Sequence, residues 1–402
     1  MRRSKAWVVA AVVAVIAVAA ALVGTIGGAE AAKSRRPIVI GAAVDLTSFM
    51  SPFDSAALRA AQIRAQQINQ RGGVNGRRLR VRVCNTQLKP DVGKSCAARL
   101  LAQGAVAILV TCDVEYATPA TQETINARRL AVASCIGTDE MGPKRFGSRG
   151  RLAFSFGNAA QDEGAAMAEY AYKRKRWRRA IVVTDRSLVY FRDVTAAFKA
   201  RFRALGGRVV RDDSFTQGQN QIPGLVNRIR GTSGAQVIVT STTFGDWPQL
   251  MRGLRSLRVN TPIMNSWAGD GTNWYPTNPR VTNYWYVTFA SIFGDDPNPA
   301  VRRIFNQMVR EGRRPATGSF VTGAAAIDAI VTAIKRAKGS TNGSRLARQF
   351  ERFRGLPTVS GKVTFTRRLH TVTGRTYRVI NVQNNRGRYV GSISVKRPAN
   401  IG

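Results

Sequence analysis

Apolar residues recur along this chain with two periods, and the two alternate. Short continuous apolar runs such as "IVIGAAV" (38–44) and "AVAILVT" (105–111) read as buried strands. Between them, apolar positions return every three or four residues. Leu58, Ala61, Ala65 and Ile68 mark one face of a helix from about 54 to 71. Val92, Cys96 and Leu100 mark a second helix, which Gly104 stops. "RGGVNGRRLRVRV" supplies a glycine-rich turn and a strand, "PATQETINARR" a helix, and "LAVASC" a fourth strand. The order βαβαβαβ predicts a parallel sheet with helices on both faces.

A second run of the same kind follows residue 153. The helical segments "QDEGAAMAEYAYK", "VTAAFKARFRALGG", "IPGLVNRIR" and "WPQLMRGLRSL" interleave with the strands "AIVVTD", "RVVRDD", "AQVIVTS", "PIMNS" and "YWYVTF". Two successive units of this pattern predict an α/β protein of two doubly wound parallel-sheet lobes, alike in architecture and without a close residue-level repeat. Past residue 295 come three helical stretches and then the strands "GKVTFT", "TYRVINVQ" and "RYVGSISV". Neither piece reads as a domain of its own. The economical assignment gives 37–153 plus 291–358 to lobe 1 and 154–290 plus 359–402 to lobe 2, so that the chain crosses near 154, 290 and 358.

Residues 1–32 have the charge and hydropathy of a secretion signal. Arg2, Arg3 and Lys5 precede an apolar run from Ala6 to Val23, and Ala29 and Ala31 offer a small-residue cut site. A retained membrane anchor is the alternative. Export makes disulfides available to the four cysteines. Three pairings are open, of which Cys84–Cys96 and Cys112–Cys135 are favoured, and four reduced thiols are the alternative. A zinc site is not expected, because there is no CxxC pair and His370 is the only histidine.

The balance of 62 basic against 23 acidic residues, a net charge of +39, predicts a solvated positive surface with some attraction to anionic lipids or wall polymers. The densest cluster, "YKRKRWRRA" (172–180), falls between a helix and a strand and reads as a solvated connection. Nucleic acid is not expected as a partner of an exported protein.

In open parallel sheets, ligands collect beyond the carboxyl ends of the strands. Six loops fall there: 45–54, 112–118 and 134–141 in the first lobe, and 185–193, 241–247 and 265–274 in the second. All are rich in Ser, Thr, Asp, Gly and aromatics, and two such rims facing each other would enclose a small polar molecule. Enzyme readings find little support. His370 stands far along the chain from any candidate nucleophile, and there is no G-x-S-x-G, no P-loop and no G-x-G-x-x-G opening a helix. Asp113 and Glu115 could act as an acid–base pair, but surface solvation explains their alternation equally well. No metal and no cofactor is expected.

Several stretches carry a likeness in their order: "IVIGAAVDLTS", "INQRGGVNGRRLRVRV", "PDVGKSCAARLLAQGAVAILV", "FSFGNAAQDEGAAMAEY", "AIVVTD" and "AIDAIVTAIKRA". Together they cover nearly all of 37–395. They resemble the type I periplasmic binding proteins of the leucine/isoleucine/valine-binding group, the substrate-binding proteins of ABC importers. The resemblance implies a monomer of two lobes that closes over a small solute and delivers it to a membrane permease. It places ligand-carboxylate contacts at Asp113 to Tyr116 (Glu115 among them) and at Ile136, Gly137 and Thr138. Tyr190 and Phe244 would contact the solute from the second lobe, Phe53 would form an aromatic wall, and Asp270, or Asp246, would neutralise a ligand ammonium. Where the family often has serine, this chain has "DVEY". An acid there opposes a carboxylate and points away from a plain branched-chain amino acid. A sensor domain and a basic envelope scaffold are the alternative functions.

Overall fold

The apolar runs form two sheets. The computed structural model describes residues 36–395, so the segment 1–32 lies outside the described residues. Strands β1 (Ile38–Val44), β2 (Leu79–Asn85), β3 (Ala105–Val110), β4 (Leu130–Ala133) and β5 (Ala153–Asn158) make the first sheet, in the spatial order 2-1-3-4-5 and all parallel. Every residue of β1, β3, β4 and β5 is buried, which is why β1, β3 and β4 are continuously apolar. β2 is an edge strand, and its exposed Arg80 and Arg82 discourage pairing with another chain.

The second sheet repeats the order with β6 (Arg179–Asp185), β7 (Arg208–Phe215), β8 (Val237–Ser241), β9 (Ile263–Asn265) and β10 (Tyr284–Thr288), again parallel. A short hairpin of β11 (Leu356–Thr358) and β12 (Gly361–Val363) follows, then β13 (Thr371–Val372), β14 (Tyr377–Gln383) and β15 (Arg386–Ile393). β14 joins the second sheet antiparallel to β10, and β15 pairs antiparallel with β14 at its edge. The helices Pro299–Arg310 and Phe320–Arg336 return to the first lobe, packing on the helix Ser51–Gln70. Gly323 permits that approach, since a Cβ there would collide with the Ala57 carbonyl.

Two of the three expected crossings move. Residues 153–158 stay in the first sheet as β5, because Phe154 and Phe156 pack against Phe350 and Phe365 in that lobe's core. The first crossing therefore follows Asn158, a few residues past 154. Residues 359–372 also remain with the first lobe. β13 pairs with β5, and His370 stacks on Phe154 with its Nδ1 donating to the Ala153 carbonyl at 2.8 Å. The last crossing follows Val372, 14 residues beyond the position expected.

These two crossings are tied together. Asn158 Nδ2 donates to Tyr377 Oη at 2.7 Å, and Gly374 N donates to the Asp162 carboxylate. The buried Arg375 donates to the carbonyls of Phe156 and Ser360 and lies over the Phe289 ring at 4.8 Å, its guanidinium pulled down to about 10 by burial. A matched device follows the first strand of each lobe. Asp45 accepts from Thr47 N and Ser48 N, and Asp185 accepts from Ser187 N, turning the chain toward the cleft.

Candidate functional site

The carboxyl ends of the two sheets face each other across a cleft. Its walls include Phe53, Asp113, Gly137 and Thr138 from the first lobe and Leu188, Tyr190, Thr243 and Trp267 from the second. With its mouth the cleft measures about 370 Å³, but between the walls there is room for little more than one water. A solute of amino-acid size therefore enters only when the lobes part.

Asp113 shows how local structure shapes this wall. It caps the helix Val114–Asn126, accepting from Tyr116 N at 3.1 Å. The helix thus begins earlier than the sequence suggests, and Pro119 lies inside it rather than near its start, at the loss of one ladder bond. Burial, with Glu115 nearby, pushes the Asp113 carboxyl up to about 8. Glu115 Oε1 reaches across to accept from Val189 N at 3.2 Å. Val189 opens the helix Val189–Ala204, so a carboxylate of one lobe sits at a helix N-terminus of the other.

Aromatic rings bridge the cleft. Phe53 meets Trp267 at 4.7 Å and Phe244 at 5.7 Å between centroids, while Phe49 touches Tyr116 at 5.6 Å and Phe244 at 6.4 Å. Tyr116 and Phe244 thus belong to the rim rather than to the wall. Tyr190 presses against Gly137, and its hydroxyl donates to Glu163 Oε2 at 2.9 Å. Glu163 Oε1 accepts from Trp267 N at 2.5 Å, and burial pushes this carboxyl up to about 8. Sequence reasoning missed Glu163 and Trp267. The available signals were an acid in the first turn of an alanine-rich helix, and a tryptophan in a loop already assigned to the rim.

Two further acids stand outside the wall. Asp270 accepts from Thr288 Oγ1 and Gly318 N, both at 2.6 Å, and from Gly271 N at 2.7 Å. Its carboxylate thereby joins the β9–β10 connection to the returning segment, and it does not reach the cleft. Asp246 accepts from Gly218 N at 2.9 Å. Thr138 lines the cleft, and its hydroxyl accepts from Glu140 N at 2.9 Å.

Behind the wall, Asp54 accepts from the Thr111 hydroxyl, from Cys112 N at 2.9 Å and from Asp45 N at 2.7 Å, and burial pushes it up to about 7. Cys112 and Cys135 form a disulfide joining the ends of β3 and β4, with 4.9 Å between their Cα atoms. Cys84 and Cys96 form the other bridge, 5.5 Å apart at Cα. Asp54, Cys112 and Cys135 converge, but both sulfurs belong to the bridge and are not thiolate donors.

The family profile described as "Periplasmic binding protein" matches residues 37–387. The Leu/Ile/Val-binding protein homolog 3 of Brucella melitensis is 23% identical over 345 residues, covering 85% of this chain and 90% of that protein. The solved structure of LivJ from Streptococcus pneumoniae, in complex with isoleucine, superposes with a TM-score of 0.77 at 14% identity, over 90% of this chain and 100% of that one. A solute-binding protein from R. palustris, solved with benzoate, superposes with a TM-score of 0.73 at 14% identity, over 89% of this chain and 97% of the other.

Proposed function

This chain belongs to the periplasmic binding protein family, and we propose that it is the exported receptor of an ABC importer, capturing an amino acid or related small solute for a membrane permease. The observation that carries this reading is that both lobes contribute to a single cleft that shuts on itself. Glu115 bonds Val189, Phe53 meets Trp267, and Gly137 meets Tyr190, each pair reaching from one lobe to the other. A solute that touched both walls would stabilise the closed arrangement over the open one by its differential contacts. The cleft supports capture and not catalysis: His370, the one histidine, is buried in the first lobe against Phe154.

The relatives named for leucine, isoleucine and valine support an amino-acid-like solute, and the benzoate complex shows that this fold also serves aromatic acids. The net charge of +39 supports a working place against an anionic envelope surface, with the receptor acting as a monomer. The testing experiment is a thermal-shift screen of the purified protein against amino acids, their amides, amines and small organic acids. A ligand of the folded state raises the melting temperature in a concentration-dependent way. A flat response across the whole panel would reject the receptor reading.

A further inference from the structure

Three features of the cleft wall bear on what charge its solute carries, and the argument rests on the receptor reading above. The first is electrostatic. In a chain with 62 basic residues, no Lys, Arg or His lines the cleft among the described residues, whereas Asp113 does, with Glu115 beside it. The second is the ring content. Phe53, Tyr190, Phe191 and Trp267 line the cleft, and aromatic faces attract cations. The third is unmet hydrogen bonding on the second lobe. Thr243 Oγ1 and Trp267 Nε1 are buried without a partner among the described residues, and both residues line the cleft. The indole N–H can only donate, so it calls for an acceptor on whatever it meets.

From these we propose that the solute is an apolar cationic amine with a neutral hydrogen-bond acceptor, such as an amide, at its other end. The ammonium lies against Asp113 of the first lobe, and the acceptor faces Thr243 and Trp267 of the second. A free carboxylate fits less well, because no cation lines the wall to offset the charge it brings out of water, and two acidic side chains stand beside it. A neutral carbonyl satisfies the same two donors without that penalty.

The test is titration calorimetry of the full-length protein with four compounds of one skeleton: leucinamide, leucine, 4-methylpentanamide and 4-methylpentanoate. Leucinamide is expected to bind at least roughly tenfold more tightly than leucine, and 4-methylpentanoate not at all. Asp113→Asn keeps a good helix cap and removes a carboxyl that burial disfavours, so it should fold at least as stably as the parent while its leucinamide affinity falls by roughly tenfold or more. Its affinity for the uncharged 4-methylpentanamide should hold, a result that a merely structural role for Asp113 would not produce. Leucine binding as well as leucinamide, or leucinamide binding unchanged in Asp113→Asn, would overturn the cationic assignment and leave the receptor reading standing. Binding of none of the four, together with a flat thermal-shift screen, would remove both.

Discussion

The ring of Tyr190 rests on Gly137 across the cleft, so closely that a Cβ at residue 137 would lie 2.6 Å from Tyr190 Cε2. The ring has little freedom to retreat, because it is buried and its hydroxyl is bound to Glu163. Gly137→Ala should therefore hold the lobes apart. Overpacking of this kind costs about 1–3 kcal/mol, which corresponds to roughly five- to 150-fold weaker solute capture. Calorimetry on the variant with whichever solute the thermal-shift screen identifies checks this, and affinity within twofold of the parent would show that the ring moves aside.

Glu163 should make stability depend on pH in an identifiable direction. Its carboxyl lies near 8 in the folded protein against an ordinary value of 4.5. A carboxyl raised on folding contributes stability that is full below the unfolded value and is lost as pH rises through the folded one. Glu163→Gln should thus gain on the parent by up to about 1.4 kcal/mol per pH unit between about pH 5 and pH 8. Denaturant unfolding at pH 5, 6.5 and 8 measures the difference, and a constant gap would mean that Glu163 titrates as an ordinary glutamate.

Asp270 should matter for stability and not for recognition. It accepts from Thr288, Gly318 and Gly271 and does not line the cleft, so Asp270→Ala leaves three donors unmet. A loss of about 2–5 kcal/mol is expected, with relative affinities across a solute series unchanged. A selectivity change in a variant that unfolds like the parent would return Asp270 to the binding site.

The Cys84–Cys96 bridge closes a short loop between β2 and the helix Pro90–Ala102, across a sequence separation of 12. Replacing both cysteines with serine should cost about 3 kcal/mol of stability by the loop-closure argument. The bridge lies outside the cleft wall, so solute affinity measured well below the melting temperature should not change. A drop in affinity at full folding would connect β2 to the site.

What the sequence revealed followed from repetition. Strands buried on both faces must be apolar throughout, so β1, β3 and β4 and their counterparts stood out, and the rim loops followed from where those strands end. β5 was harder to read, since "AFSFGN" is short and directly follows a turn. β13, with two residues, has no period to detect. Thr138 could be placed because its position after β4 is local. The orientation of Asp270 was not legible, because the groups that turn it, Thr288 and Gly318, lie 18 and 48 residues away. Glu163 was hidden for the same reason, its partners Tyr190 and Trp267 being 27 and 104 residues distant.

The Cys112–Cys135 bridge lies where the β3 and β4 loops enter the cleft, one residue before Asp113 and two before Gly137. Those two recognition loops cannot drift independently, so the entropy of holding them in register is settled at maturation and not at each encounter with a solute. Because such a bridge persists only in an oxidising compartment, the chain acquires its finished recognition surface at its place of work. Copies left in a reducing cytoplasm would keep the fold while presenting two loosened loops, and would compete poorly for the solute they meet there.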